Sequence, residues 1–201
     1  MINDETPEIK VILLGETAVG KTSIIKRYYE GTFDTSEGSS MIMSYVDKTI
    51  EVDGKKYKLI IWDTIGQETY RSISKLFVND SKIVILVYSI VNEKSFKDLE
   101  FWYNLYLETL GKEVILGIAG NKADLYANQQ VSYEEGKKFA DETGAIFAEI
   151  SAKENKESID IFMMDLVNAY LNKRKKDGGK KGVKLNGKGD KNEKKGCCSS
   201  K

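Results

Sequence analysis

The segment GETAVGKT, residues 15–22, combines two glycines, a lysine and a hydroxyl residue at the spacing of a phosphate-binding loop. The glycines let the backbone wrap a polyphosphate, so that several N–H groups point inward. The lysine supplies a positive charge and the threonine hydroxyl can ligate Mg²⁺. An apolar run, KVILLG, precedes the loop, and the helical pattern TSIIKRYYE follows it, so that a helix N-terminus would face the anion. The predicted contact residues are Gly15, Thr17, Ala18, Val19, Gly20, Lys21, Thr22 and Ser23. The alternative is a glycine-rich turn with no ligand.

A second polar segment, WDTIGQE at residues 62–68, follows the apolar run KYKLIIW. Asp63 is placed to bind Mg²⁺ through water and to complete the coordination that Thr22 begins. Gly66 can bring its N–H against a terminal phosphate where a side chain would obstruct it. The amide of Gln67 can both accept from and donate to an attacking water, so Gln67 and Lys21 are the predicted catalytic residues. The alternative is a turn at a strand end with a solvated glutamine.

A third segment, GNKADL at residues 120–125, indicates which base is bound. The Asp124 carboxylate can accept hydrogen bonds from the N1–H and the exocyclic amine of guanine, whereas adenine has an acceptor at N1. Such a mismatch discriminates between substrates by roughly 10⁴–10⁵. We expect Asn121 and Lys122 to brace the ring and the neighbouring loop. The segment ISAK follows the next predicted strand and offers the Ala152 N–H to the guanine carbonyl oxygen. The predicted base-site residues are Asn121, Lys122, Asp124, Ser151, Ala152 and Lys153.

The elements that must position these segments follow from the apolar pattern. YVDKTIEV and KYKLIIW flank the turn signal Asp53-Gly54 and predict a hairpin, with Lys55 and Lys56 continuing its loop. KIVILVYSI, EVILGIAG and AIFAEIS predict further strands, and helices are expected over 93–110, 132–143 and 156–172. Six strands alternating with about five helices predict a three-layer α/β fold with a mostly parallel sheet and one antiparallel strand. Ligands in such sheets bind beyond the carboxyl ends of the strands, where these four segments lie.

Composition divides the chain of 201 residues into two parts. Residues 173–201 hold 12 basic and 3 acidic residues, while residues 1–172 have a net charge of −9. We therefore predict one domain over 1–172 and a disordered basic tail over 173–201. The chain has no histidine, which excludes histidine catalysis and histidine metal ligation, and its two cysteines, Cys197 and Cys198, are adjacent. No apolar stretch is long enough for a transmembrane helix, so we expect a cytosol-facing protein that is neither secreted nor membrane-spanning.

The four segments in this order resemble the Ras-like small GTPases, and the resemblance covers residues 8–172. The lysine-rich tail ending in GCCSSK looks like the doubly prenylated C-terminus of the Rab family. ENKESIDIF and LGKEVILGIAGNKADL are similar to its early-endosomal branch. The resemblance implies the P-loop small-GTPase fold, Mg²⁺ as cofactor, and slow GTP hydrolysis that acts as a GDP/GTP switch in vesicle and endosomal membrane traffic.

Several site residues are implied by the resemblance alone. It places Phe33 against the guanine face and Ser40 as a second Mg²⁺ ligand. It also assigns an aromatic surface recognised by effectors to Tyr45, Trp62 and Phe77, for which the alternative is ordinary core or hairpin packing. Two prenyl groups on Cys197 and Cys198 make physical sense because a single lipid chain gives only marginal membrane binding. The alternative is a basic, soluble linker with incidental cysteines.

The resemblance also implies the partners. They are an exchange factor, an activator protein, effectors that bind the two switch loops, and a prenyl-carrier or GDP-dissociation-inhibitor chaperone. Arg71 is the only arginine near the predicted catalytic segment, and a solvated surface position is the better interpretation of it, so we expect the activator to supply an arginine. We expect the protein to be a monomer that does not bind nucleic acid. We expect it on the cytoplasmic face of intracellular membranes, cycling through the cytosol.

The sequence departs from the family pattern in and near the two switches. Ser40 stands where most members have Thr, Ile65 where Ala is usual and Thr69 where Rabs usually have Arg. Val78-Asn79 replaces the usual Tyr-Arg. A β-branched Ile65 beside Gln67 could crowd the approach to water. The alternatives are therefore a hydrolysis-deficient, GTP-bound scaffold and, less well supported because of Asp124, an ATP enzyme such as a small-molecule kinase.

Overall fold

The computed structural model describes residues 6–34, 44–64 and 78–180. These ranges contain six strands: β1 Glu8–Leu14, β2 Ser44–Val52, β3 Lys55–Asp63, β4 Ile83–Ser89, β5 Ile115–Asn121 and β6 Ile146–Glu149. They also contain five α-helices: α1 Lys21–Tyr29, α2 Glu93–Lys97, α3 Leu99–Leu110, α4 Tyr133–Thr143 and α5 Lys156–Lys180. Two 3₁₀ helices cover Gly111–Glu113 and Ala123–Asn128.

The strands form one sheet in the order β2-β3-β1-β4-β5-β6. Only the β2–β3 pair is antiparallel among the described strands; β1 pairs with β3 and β4, and β5 with β4 and β6, in parallel. This confirms the predicted six-stranded, mostly parallel sheet with one antiparallel strand. Every residue of β4 is buried, as expected for a strand covered on both faces.

Two hydrophobic clusters lie on opposite faces of the sheet and make the fold three-layered. One joins α1 and α5 to the sheet through residues such as Ile24, Phe162 and Leu166. The other joins α3 and α4 to the opposite face through residues such as Trp102 and Ala140. Burial of these side chains stabilises the layers by about 1.5–3 kcal/mol for each large apolar residue.

The predicted hairpin is present, but its turn is shorter than expected. Lys55 and Lys56 belong to β3 and pair with Val52 and Glu51, so the expectation that they continue the loop is wrong. Asp53 and Gly54 form a two-residue turn with φ values of 52° and 72°. Two successive positive φ values match the twist of the flanking strands, which lets pairing begin immediately after the turn.

Two predicted helices differ from those in the structure. The helix expected over 93–110 is divided at Asp98 into α2 and α3, where the bond from Trp102 N to Asp98 O lengthens to 3.4 Å. The helix expected over 156–172 continues to Lys180. Lys173 Nζ donates to the Glu113 carbonyl at 2.7 Å, and Lys175 lies 3.2 Å from the Asp53 carboxylate. The first residues of the predicted tail are therefore helical; residues 181–201 lie outside the described ranges.

No helix within residues 6–34, 44–64 and 78–180 combines the length and hydrophobicity needed to cross a bilayer.

Candidate nucleotide-binding site

The phosphate-binding loop lies between β1 and α1, at the carboxyl edge of the sheet. Gly15, Ala18 and Gly20 have φ values of 148°, 61° and 98°. A Cβ on Gly15 would lie 2.2 Å from the Val87 carbonyl oxygen, and one on Gly20 would lie 2.3 Å from Asn121 Nδ2. Both positions therefore require glycine for space as well as for conformation.

Lys21 is the first residue of α1, and its side chain folds back over the loop. Its Nζ donates to the carbonyls of Gly15 and Glu16, both at 2.8 Å. The side chain is 5% exposed, and burial lowers the pKa of Lys21 to about 8, although Asp63 and Glu16 oppose the shift. A buried ammonium group over a loop that leads into a helix N-terminus is suited to binding a polyphosphate.

Asn121 and Lys122 connect the base-binding segment to the phosphate-binding loop. Asn121 Nδ2 donates to Val19 O at 2.8 Å, and Lys122 Nζ donates to Ala18 O at 2.8 Å. Asn121 Oδ1 accepts from the Ala152 N–H at 3.2 Å. Lys122 has a φ of 67°, a strained conformation for a lysine that the surrounding bonds stabilise. The Asn121 side chain thus joins its own loop to the loops that contain Val19 and Ala152, which are far apart in sequence.

Asp124 and Ser151 meet at the other side of this junction. Ser151 Oγ donates to Asp124 Oδ1 at 2.7 Å and also accepts from Glu154 N at 3.0 Å. The second bond orients the Ser151 hydroxyl, and the first anchors one oxygen of the Asp124 carboxylate. Lys153, the last residue of the predicted base site, is exposed and lies 3.8 Å from the carboxylate of Glu154. The Ala152 N–H, predicted to bond a guanine carbonyl, here donates to Asn121, and its role toward a base stays a prediction.

Two oxygen donors suited to Mg²⁺ lie on opposite walls of one cavity. The cavity has a volume of about 80 Å³ and is lined by Thr22 from α1 and by Asp63 from the end of β3. A hydroxyl and a carboxylate are hard oxygen ligands of the kind that Mg²⁺ binds. The residues present therefore fit the ion.

The aromatic residues implied as an effector surface are partly placed. Tyr45 and Trp62 are opposite each other on β2 and β3, with ring centroids 5.2 Å apart, and Tyr45 is 58% exposed. Lys10 Nζ lies 5.2 Å from the Trp62 ring centroid and donates to Asn79 O at 2.6 Å. The structure therefore brings this pair together, with Tyr45 exposed and Trp62 half-buried against the cluster between the sheet, α3 and α4. Val78, which departs from the family pattern, is fully buried.

The other predicted residues lie at the phosphate-binding loop, pack outside this site or lie outside the described ranges. Phe33 is half-buried and packs against the cluster between the sheet, α1 and α5; its stacking on guanine stays a prediction. Thr17 lies in the loop between β1 and α1, and Ser23 lies in the first turn of α1. The following predicted residues lie outside the described ranges: Ser40, Ile65, Gly66, Gln67, Thr69, Arg71, Phe77, Cys197 and Cys198.

Sequence reasoning missed two side chains that organise this region. Thr64, which is 2% exposed, donates from Oγ1 to the Leu13 carbonyl at 2.5 Å and fixes the chain just after Asp63. The sequence feature that could have indicated Thr64 is its position between Asp63 and Gly66, which are predicted site residues. Lys48 on β2 reaches the end of α1, and no sequence pattern marks this contact.

Comparison with known proteins agrees with this arrangement. Residues 10–171 match the Ras family. The chain is 37% identical to Ras-related protein Rab-21 of Bos taurus over 177 residues, which are 88% of this chain and 79% of that protein. It is 42% identical to Ras-related protein Rab-8B of Bos taurus over 72% of this chain and 70% of that protein. It is also 39% identical to Ras-related protein RabJ of Dictyostelium discoideum over 74% and 58%. The chain belongs to the Ras family.

As a Ras-family member of the Rab type, the protein binds guanine nucleotides and hydrolyses GTP. The predicted resemblance and the predicted enzymatic activity are thereby confirmed. In this Ras-family GTPase, the bonds of Asn121 with Val19 and Ala152 connect the candidate phosphate-binding loop to the candidate base-binding loop. That a guanine nucleotide spans both loops stays a prediction.

Proposed function

We propose that this Ras-family GTPase is a Mg²⁺-dependent GDP/GTP switch that recruits effectors in vesicle and endosomal membrane traffic. The observation that carries the proposal is the bonded junction between the phosphate loop and the base-binding loops, centred on Asn121 and Lys122. Asp124, oriented by Ser151, would select guanine. The early-endosomal assignment is supported by the similarity to relatives named Rab-21.

The proposed mechanism depends on positioning and charge rather than on covalent chemistry. Lys21 binds the phosphates and stabilises the negative charge that develops during transfer. Thr22, Ser40 and Asp63 would hold Mg²⁺, which would neutralise charge on the phosphate oxygens. Gln67 orients the attacking water. GTP would order the two switch loops for effectors, and hydrolysis would release them.

A second candidate is a GTP-bound scaffold that hydrolyses too slowly to time its own switch. It is supported by Ile65, which precedes the Gly66-Gln67 pair at the position where the family usually has Ala. Single-turnover phosphate release from protein loaded with GTP and Mg²⁺ distinguishes the two. For a timed switch, the wild type should release phosphate measurably, and Gln67→Leu should abolish release because leucine cannot orient water.

Ile65→Ala is the informative comparison in this assay. If the wild type is as inert as Gln67→Leu and Ile65→Ala restores release, the scaffold is correct and the timed switch is wrong. With an activator protein that carries an essential arginine, the wild-type switch should be accelerated by about 10³–10⁵.

We further propose that prenyl groups on Cys197 and Cys198 attach the protein to membranes, where the lysine-rich tail adds attraction to anionic lipids. Replacing both cysteines by serine should move the protein from the membrane fraction to the soluble fraction of cells. Each single variant should retain only weak, reversible binding, because one lipid chain gives marginal affinity. Membrane retention of the double variant would contradict prenylation as the anchor.

A further inference from the structure

The cavity beside the candidate Mg²⁺ ligands separates two structural units. One wall is α1, which begins at the phosphate loop, and the other is the β2–β3 hairpin, which ends at Asp63. Thr22, Ile25 and Tyr29 line the cavity from α1, and Tyr45, Val46 and Asp63 line it from the hairpin. The position of β2 relative to α1 therefore sets the width of this cavity.

Lys48 joins the two walls directly. It lies on β2, and its Nζ donates to the Tyr28 carbonyl in the last turn of α1 at 2.6 Å. The same Nζ lies 3.8 Å from the centroid of the Tyr28 ring, within the range of a cation–π interaction. One half-buried side chain thus makes two contacts with one residue of the opposite wall.

A backbone carbonyl at the end of α1 accepts a hydrogen bond from the Lys48 ammonium group. The carbonyls of Lys26 and Arg27 accept from the N–H groups of Glu30 and Gly31, which follow the helix. Tyr28 O, the next carbonyl, accepts from Lys48. A cation is favourable here because the last carbonyls of a helix carry partial negative charge.

The surroundings of Lys48 are partly desolvated. Burial and the nearby Lys156 lower the pKa of Lys48, and Asp160 opposes the shift. Lys156 Nζ and Asp160 Oδ2 pair with each other at 2.5 Å on α5. Tyr28 is 5% exposed, and burial raises its pKa to about 12, so its ring is a neutral phenol at physiological pH. The contact therefore lies between β2, α1 and α5.

The position of β2 makes this contact important. Among the strands within residues 6–34, 44–64 and 78–180, β2 is the outermost and pairs with β3 alone. The chain segment 35–43 joins Asp34, just beyond α1, to Ser44, the first residue of β2. The two elements that Lys48 connects are thus the two that bracket this segment, which contains Ser40, the predicted second Mg²⁺ ligand.

We propose that Lys48 is a positioning residue for nucleotide retention. By holding β2 against the end of α1, it maintains the width of the cavity that Thr22 and Asp63 line. Its loss would let the edge strand β2 move away from α1 and would accelerate nucleotide dissociation. The inference rests on the proposed nucleotide switch.

The test is the dissociation rate of a fluorescent GDP derivative from the full chain in the presence of Mg²⁺. Lys48→Met retains the length and apolar stem but removes the donor and the charge, so dissociation should be about tenfold faster. Lys48→Arg, which retains both, should restore a rate close to that of the wild type. Lys48→Gln serves as a second variant without charge and should also release GDP faster than the wild type.

Lys58→Met is the matched control. Lys58 lies on the same hairpin, and its side chain pairs with Glu8 and Asp47 at 3.6 and 3.7 Å rather than with α1. Its removal makes the same change in charge and should leave the dissociation rate unchanged. Thermal unfolding of all four variants separates a general loss of stability from a specific effect on retention.

Each outcome has one meaning. Faster dissociation in Lys48→Met and Lys48→Gln but not in Lys58→Met or Lys48→Arg supports the proposal. Unchanged dissociation in Lys48→Met, or equal acceleration in Lys58→Met, overturns it, even if the melting temperature falls. A wild-type chain that does not retain GDP would contradict the proposed function itself, which is a different result.

Discussion

Replacing Asp124 by Asn should lower the affinity for GDP by about 10³–10⁵ while the fold is retained. The carboxylate can accept from both N–H groups of guanine, whereas the Asn amide would present a donor to a donor. Ser151 Oγ donates to Asp124 Oδ1 at 2.7 Å, and the carbonyl of Asn can accept the same bond. The loss should therefore be confined to base recognition. Equilibrium titration with fluorescent GDP, together with thermal unfolding, measures both quantities.

Two comparisons sharpen this experiment. Asp141→Asn makes the same chemical change on the exposed face of α4, where Asp141 pairs with Lys137, and it should leave GDP affinity unchanged. Xanthosine diphosphate has an oxygen in place of the exocyclic amine, so it should bind Asp124→Asn better than GDP does. Equal GDP affinity in Asp124→Asn and the wild type would show that Asp124 does not contact the base.

The sheet and the order of the site segments could be predicted because their signals are local. A continuous apolar run such as residues 82–90 predicts a buried parallel strand, and Asp53-Gly54 predicts a hairpin turn. Parallel strands place their carboxyl ends on one edge of the sheet, so Gly15, Asp63 and Asn121 were expected to be neighbours. The structure agrees on this arrangement, because topology follows from the alternation of strands and helices.

The features that sequence missed depend on contacts across the fold. The continuation of α5 to Lys180 accompanies bonds from Lys173 and Lys175 to Glu113 and Asp53, whereas the composition of this segment indicates disorder. Lys48 is one lysine among many until the packing of β2 beside α1 brings it to Tyr28. No periodicity reports such tertiary pairs, since each partner is an ordinary residue in its own element.

The packing around Tyr88 is a further feature that the sequence pattern does not predict. A Cβ on Gly120 would lie 2.7 Å from the Tyr88 hydroxyl oxygen, and a Cβ on Gly136 would lie 2.3 Å from the same atom. Gly136 is inside α4, where the helical pattern alone would favour alanine. The Tyr88 ring on β4 thus leaves no space for a side chain at Gly120 on β5 or at Gly136 on α4. Only the three-dimensional arrangement relates them.

Gly20→Ala should abolish tight nucleotide binding, with a loss of about 10²–10³ in GDP affinity. The φ of 98° at Gly20 is strained for any residue with a side chain, and the new Cβ would lie 2.3 Å from Asn121 Nδ2. Asn121 is 2% exposed and bonded to Val19 and Ala152, so it cannot move without separating the phosphate loop from the base-binding loops. Strain and overpacking together should cost roughly 2–5 kcal/mol of unfolding free energy.

Gly54→Ala is the control that separates these two causes. Gly54 has a comparable φ of 72°, but a Cβ there would have no neighbouring atom within 4 Å. Conformational strain alone should then cost about 1–2 kcal/mol, with GDP affinity unchanged. Chemical denaturation and GDP titration of the two variants give the comparison. The contrary result would be that Gly20→Ala loses no more stability than Gly54→Ala and retains GDP affinity. That result would mean that the Asn121 side chain can move to make space for the new methyl group. The junction of the three loops would then not be the rigid element that retains the nucleotide.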